Sequence, residues 1–328
     1  MNTAATPPVK SRSLKAWARR NIQILSIAAI LVVLAMFFAV FADAFLTPEN
    51  LVNIGRQIAP TVIVAVAMTF VITTGQIDLS VGSILALSAS TIAIMAESQS
   101  WVLALSAALA IGVIVGSING YFSAYQALPS FIVTLAALTA VRGIALYITQ
   151  GYSTAIEAPQ ILFLGQGQFL GIYMPTWIAL IIALVGIYVF NGTRFGRYVT
   201  AVGSNEEAIR RAGVDVRRIK MAVLMLTGVA GAIAGILNAA RLASGSSNSG
   251  VAFELEVITA VVLGGTSLMG GRGSVVGSVL GALVLGVLAN GLVLMRVDVY
   301  WVPILQGVIL LVAILANTRL LGRYARSR

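Results

Sequence analysis

Neither cysteine nor histidine occurs among the 328 residues, and lysine, arginine, aspartate and glutamate together make up only 10% of them. The first absence removes thiol nucleophiles, disulfides, imidazole general bases and the usual zinc ligands at once. The second departs widely from the roughly one quarter charged that is usual in soluble domains. With 59% of residues hydrophobic, the chain reads as an all-α polytopic membrane protein. One crossing takes about 20 apolar residues, and 59% of 328 is about 194, which suffices for about ten crossings.

Further chemistry is missing. The lysines Lys10, Lys15 and Lys220 follow Val9, Leu14 and Ile219, so the Gly-Lys-Ser or Gly-Lys-Thr of a phosphate-binding loop does not occur. Gly271, Gly273 and Gly277 miss a dinucleotide fingerprint by one position and follow no strand, which leaves them as bend and packing glycines. Without His or Cys, and with 11 Asp and Glu in all, no catalytic or metal-binding constellation presents itself. The net charge of +10 does not indicate nucleic acid, because membrane orientation accounts for where the positive residues lie.

Spans are expected at 22–42, 53–74, 79–96, 101–122, 131–149, 175–191, 219–241, 254–268, 275–295 and 301–317. The first is too long for a signal-peptide core of about 7 to 15 residues, so it is read as a retained helix. Tails at 1–21 and 319–328 flank one transmembrane domain at 22–318, whose longest inner loop is 192–218. With both termini cytoplasmic, the inner side collects Lys10, Arg12, Lys15, Arg19, Arg20, Arg194, Arg197, Arg210, Arg211, Arg217, Arg218, Lys220, Arg272, Arg319, Arg323, Arg326 and Arg328. Only Arg56, Arg142, Arg241 and Arg296 fall elsewhere, which is the positive-inside asymmetry. Pro175 is expected to open its helix, Pro60 to kink the second and Pro129 to end the connection before the fifth. Gly112, Gly116 and Gly120, Gly231 and Gly235, and Gly273, Gly277 and Gly281 recur at spacing four, which suits close helix packing or subunit pairing.

The polar stretch at 191–220 holds seven of the 21 basic residues. Ser204 followed by Glu207 predicts a capping box, Glu206 and Glu207 suit a helix N-terminus, and Gly213 suits a left-handed stop. Together they predict a short helix at about 205–212. Glu206 with Arg210 and Glu207 with Arg211 are acid-then-base pairs four apart, and Ala208, Ile209 and Ala212 form a small apolar face. Such a helix is marginal alone. It is either a solvated connector or a docking element, and Asp215 is placed to cap the helix that follows.

Inside the spans, Asp78 can cap the third helix by accepting from the Ser80 or Val81 amide, or act in transport. Arg142 needs a partner or water at its depth, with Glu254, Glu256 and Asp78 as possibilities. Arg56, Gln57, Asn119 and Asn290 are the remaining candidates for a path or gate, although helices also use amides to join one another.

These residues bring out a resemblance to the permease subunits of ribose-type carbohydrate ABC importers. It runs over about 45–317 and rests on Gly75-Gln76-Ile77-Asp78-Leu79-Ser80-Val81-Gly82-Ser83, Thr193-Arg194-Phe195-Gly196-Arg197, the stretch 203–220, Ala240-Arg241-Leu242, and Ala260-Val261-Val262-Leu263-Gly264-Gly265-Thr266-Ser267-Leu268-Met269-Gly270-Gly271. Gln76 stands where members often have a second glycine. The resemblance implies ten helices, a second permease (a homodimer), a tandem-domain ABC ATPase carrying ATP and Mg, an extracytoplasmic sugar-binding protein, and no cofactor on this chain. It implies a coupling helix formed by Ser204, Asn205, Glu206, Glu207, Ile209, Arg210, Arg211 and Gly213 and flanked by Arg217 and Arg218. The alternatives are a permease of the branched-chain amino-acid type, an ion-coupled secondary carrier, which the scarcity of intramembrane acids disfavours, and a membrane enzyme.

Overall fold

The computed structural model describes residues 22–98, 100–298, 300–309, 311, 312 and 315. Its helices are α1 (Ile22–Phe41), α2 (Pro48–Thr73), α3 (Val81–Ser98), α4 (Trp101–Ala124), α5 (Ser130–Thr149), α6 (Pro159–Gln166), α7 (Met174–Gly192), α8 (Arg194–Ser204), α9 (Glu206–Arg211), α10 (Val216–Leu242), α11 (Phe253–Leu263) and α12 (Val275–Leu294). Strands β1 (Thr154–Ala155) and β4 (Ser244–Gly245) pair antiparallel, as do β2 (Gln168–Phe169) and β3 (Ile172–Tyr173). α10 joins α9 to β4 and, at 27 residues, is about 40 Å long. The α9 end and the β4 end therefore lie on opposite sides of the bundle.

α2 is the axis of the molecule. Thr47 caps it by accepting from the Asn50 amide, Pro48 sits in its first turn, and every residue from Ile58 to Thr73 is buried. A helix apolar on all sides has to be surrounded, and α7, α10, α11 and α12 surround this one. Pro175 lies in the first turn of α7 and Pro129 at the N-cap of α5, as the sequence predicts, and Pro60 lies within the continuous helix α2.

The spaced glycines act within the chain. A Cβ on Gly112 or Gly116 would strike the Gly228 or Leu224 carbonyl of α10, and one on Gly228 would strike Gly112 in return. Gly235 sits in the same way on Leu85 of α3, and Gly277 and Gly281 sit on Gly264 and Ala260. Small residues let backbones touch where lipid offers no hydrophobic reason to associate. The resulting contacts fasten α4 to α10 and α11 to α12.

Seven helices among the described residues are long and apolar enough to cross a membrane: α1, α2, α4, α5, α7, α10 and α12. The apolar part of α3 covers 81–96 and is shorter than these. The expected span 254–268 is instead the 11-residue α11, about 16 Å long and enough for half a crossing. It stops because Gly265 turns left-handed at φ +88°, a region that glycine enters at little cost. For the expected span 301–317, residues 301–309 are helical; most of the remainder, like both predicted tails, lies outside the described residues.

Candidate functional site

The polar stretch folds as two helices. Thr193 caps α8 by accepting from the Gly196 amide, and Val199 and Val202 bury its inner face. Gly203 seats against the Thr73 carbonyl at the end of α2, and that same carbonyl accepts from the Gly271 amide at 2.9 Å. Ser204 is the last residue of α8 and donates its hydroxyl to the Thr200 carbonyl at 2.8 Å. The expected capping box is thereby corrected. Asn205 is the N-cap of α9, its Oδ1 accepting from the Ala208 amide at 3.0 Å, because Ser204 is already committed to the preceding helix.

α9 runs over six residues, none of them buried. Glu206 pairs with Arg210 at 2.8 Å and Glu207 with Arg211 at 3.0 Å, the spacing-four pairs that the sequence predicts. Gly213, at φ +81°, lets the chain turn out of the helix. Asp215 caps α10 by accepting from the Arg218 amide and pairs with the Arg218 side chain at 2.8 Å, while Arg217 is exposed. The pair absent from the sequence reading is Lys220 with Glu206 at 2.6 Å, which ties α9 to the first turns of α10. Burial would raise the Glu206 carboxyl, but the hydrogen bonds and charges of Lys220 and then Arg210 hold it below the usual range. A cleft of about 720 Å³ separates Glu206, Arg210 and Lys220 from the α2–α3 link at Gly75 and Gln76 and the α4–α5 link at Ser123 and Ser130.

A second polar cluster lies deeper. Asp78 is fully buried, and its Oδ1 accepts from the Ser80 amide at 2.9 Å and the Ser80 hydroxyl at 2.6 Å. The expected capping contact is therefore present. Its Oδ2 accepts from the Thr227 hydroxyl of α10 at 2.5 Å. Asn119 of α4 donates to the Ser80 hydroxyl at 2.9 Å, so two of the sequence candidates meet. Thr227 is the twelfth residue of α10, about 17 Å from its start, so the cluster sits well inside the bundle. Gln76 donates to Ser123, the Ile77 amide donates to Ser130, and Thr134 donates to the Ile77 carbonyl. The irregular link is thus bound to three helices, which answers the requirement that non-helical backbone at membrane depth be satisfied by protein.

Arg142 is held by backbone instead of by an acid. It donates to the carbonyls of Ser247, Ser249 and Gly250 at 2.5, 2.6 and 3.1 Å. Among the described residues it forms no ion pair with Glu254, Glu256 or Asp78. Glu254 lies over Gly82 at the start of α3, and Glu256 accepts from Thr61 at 2.8 Å. The remaining candidates lie elsewhere. Asn290 and Asn50 exchange two hydrogen bonds, joining α12 to α2. Arg56 donates to the Arg241 carbonyl and covers the Tyr173 ring. Gln57 is exposed on α2, in neither cluster.

Sequence reasoning missed Thr227, Lys220 and the carbonyls of 247–250. A threonine in an apolar helix carries no signal of its own. The run Ser244-Gly245-Ser246-Ser247-Asn248-Ser249-Gly250, which is polar and bounded by glycine, was the available one.

Known proteins can now be set beside this arrangement. The family described as branched-chain amino acid transport system / permease component matches residues 50–314. The chain is 40% identical over 310 residues to the ribose import permease protein RbsC of Escherichia coli (strain K12), covering 93% of this chain and 95% of that one. It is 39% identical over 300 residues to the ribose import permease protein RbsC of Haemophilus influenzae (strain ATCC 51907 / DSM 11121 / KW20 / Rd), covering 90% and 93%. It is 35% identical over 358 aligned positions to the xylose transport system permease protein XylH of Escherichia coli (strain K12), covering 90% and 91%. No solved structure matches. The chain therefore belongs to this family of transport-system permeases and is an ABC permease of the ribose, or sugar, type.

Proposed function

We propose that this chain is the membrane-embedded permease subunit of an ATP-driven importer that carries a monosaccharide or related polyol across the bacterial inner membrane, with both termini cytoplasmic. ATP, with Mg, is bound and hydrolysed by a separate tandem-domain ATPase. The solute arrives on an extracytoplasmic binding protein, and a second copy of the permease completes the path.

The observation that carries this reading is the continuous connection from α9 to the buried acid. α9 is exposed and short, so it makes a contact surface for a soluble partner. Asn205 starts it, Gly213 ends it, and Glu207, Arg210 and Arg211 lie on its open side with Ala208, while Ile209 is half-buried. Lys220 grips Glu206, and seven residues further along α10, about 10 Å, Thr227 grips Asp78. A push on α9 is transmitted along a rigid helix to the irregular start of α3. Closure of the ATPase would then change the relation between α10 and the α2–α3 link, where a path for solute has to open.

The test is reversal of charge at Glu207 and Arg211 in the assembled complex, reading ATPase stimulation and copurification with the ATPase. Loss of both, in a permease that still reaches the membrane, supports the coupling role. Unchanged coupling removes it from these side chains.

A further inference from the structure

The segment between β4 and α11 is irregular and lies along the last two turns of α5, held by Arg142 at one end and by the final residue Thr149 at the other. α5 has 20 residues, and Arg142 stands seven positions before its end at Thr149, about 10 Å inside a helix about as long as the hydrocarbon layer is thick. The carbonyls of Ser247, Ser249 and Gly250 point to Arg142, and the Ser247 hydroxyl meets Thr149 at 3.0 Å. One side of the segment is therefore fully committed. On the other side Asn248 is exposed, Ser246 and Ser249 are half-buried, and among the described residues the Asn248 amide side chain and the Ser249 hydroxyl have no hydrogen-bond partner. Lipid leaves such groups unsatisfied at a cost of several kcal/mol each, so at this depth they face protein or water.

Resting on the transport reading above, we propose that Ser246, Asn248 and Ser249 line the aqueous part of the solute path and offer hydroxyl and amide groups to a polyhydroxylated solute. Arg142 is the positioning residue that turns this face outward by holding the carbonyls behind it. A hydroxyl-rich solute needs neutral donors and acceptors that exchange readily with water, and a serine and asparagine run provides both.

The absence of native cysteine makes the experiment direct. The full complex, with ATPase and binding protein, is placed in vesicles carrying Asn248→Cys, Ser249→Cys or, as a lipid-facing control, Leu184→Cys on α7, where Leu184 is 58% exposed. Reaction with a charged, membrane-impermeant methanethiosulfonate is followed beside ATP-driven uptake of labelled D-ribose. Thiolate forms in water and hardly at all in hydrocarbon, so both segment cysteines should react at least about tenfold faster than the control. Modification at Asn248→Cys should reduce uptake severalfold, whereas modification at Leu184→Cys should not. Reaction only with a lipid-soluble maleimide, or with neither reagent because a second copy covers the segment, overturns the proposal. If no monosaccharide is taken up by any vesicle yet the charged reagent still reaches the segment, the sugar-transport reading fails and the water-facing assignment stands.

Discussion

α9 and the Asp78 cluster are both small networks of charged and hydroxyl groups, but they differ in every property that sets their strength. The ion pairs of α9 are largely exposed, with Arg210 and Arg211 side chains at 61% and 79%, and such pairs contribute a few tenths of a kcal/mol each and are screened by salt. Asp78 is buried with three donated hydrogen bonds, an arrangement in which loss of one partner leaves the others without water. On the proposed coupling role, a partner would rearrange the exposed network at little cost, while the buried one would keep its geometry and carry the movement inward.

That contrast ranks the substitutions. Asp78→Ala removes the acceptor for Ser80 and Thr227 together and should destabilise the permease by about 3 kcal/mol or more, seen as a lowered melting temperature in detergent and loss of uptake. Asp78→Asn should lie between it and the parent. Arg142→Ala leaves three carbonyls unpaired and should cost about 2 to 4 kcal/mol. Arg142→Lys should recover only part of this, because an ammonium lacks the guanidinium fork.

Lys220→Met addresses the link between the two networks. It should change the melting point by an amount equivalent to less than about 1 kcal/mol while cutting ATPase stimulation severalfold. A parallel loss of stability and coupling would show that Lys220 is only a structural brace. Exchanging Glu207 and Arg211 should shift stability by a few tenths of a kcal/mol at most, while lowering both ATPase stimulation and copurification with the ATPase.

The smallest effect is that of pH. The Glu206 carboxyl is held below its usual range, so its contribution is present at neutral pH and is lost as the pH falls through the depressed value. Acidification in that range should loosen α9 from α10, detectable as faster proteolysis at Arg210 and Arg211, and Glu206→Gln should already show the loosened state at neutral pH.

The sequence revealed much of this because charge and glycine carry local signals. The salt-bridged α9, its left-handed stop at Gly213, the Asp215 cap and the close-packed glycines are all set within a few residues of the chain. The half-length α11 was less visible, since Leu268 and Met269 resume the apolar character after the Gly264-Gly265-Thr266-Ser267 break. Ser80 beside Asp78 and Arg210 beside Glu206 were legible as near neighbours, but their further partners and those of Arg142 were not, because Thr227 is 149 positions away, Lys220 is 14 away, and backbone carbonyls have no residue type to read. Ser204 was misassigned because capping preferences do not reveal that a residue already ends another helix.

The central claim is that force reaches the membrane region through α9 from an ATP-hydrolysing partner. Solute accumulation should be compared in vesicles holding the complete complex with ATP and in vesicles holding this chain alone under an ion gradient. The account predicts accumulation against a gradient only in the first, and accumulation by the chain alone would contradict it.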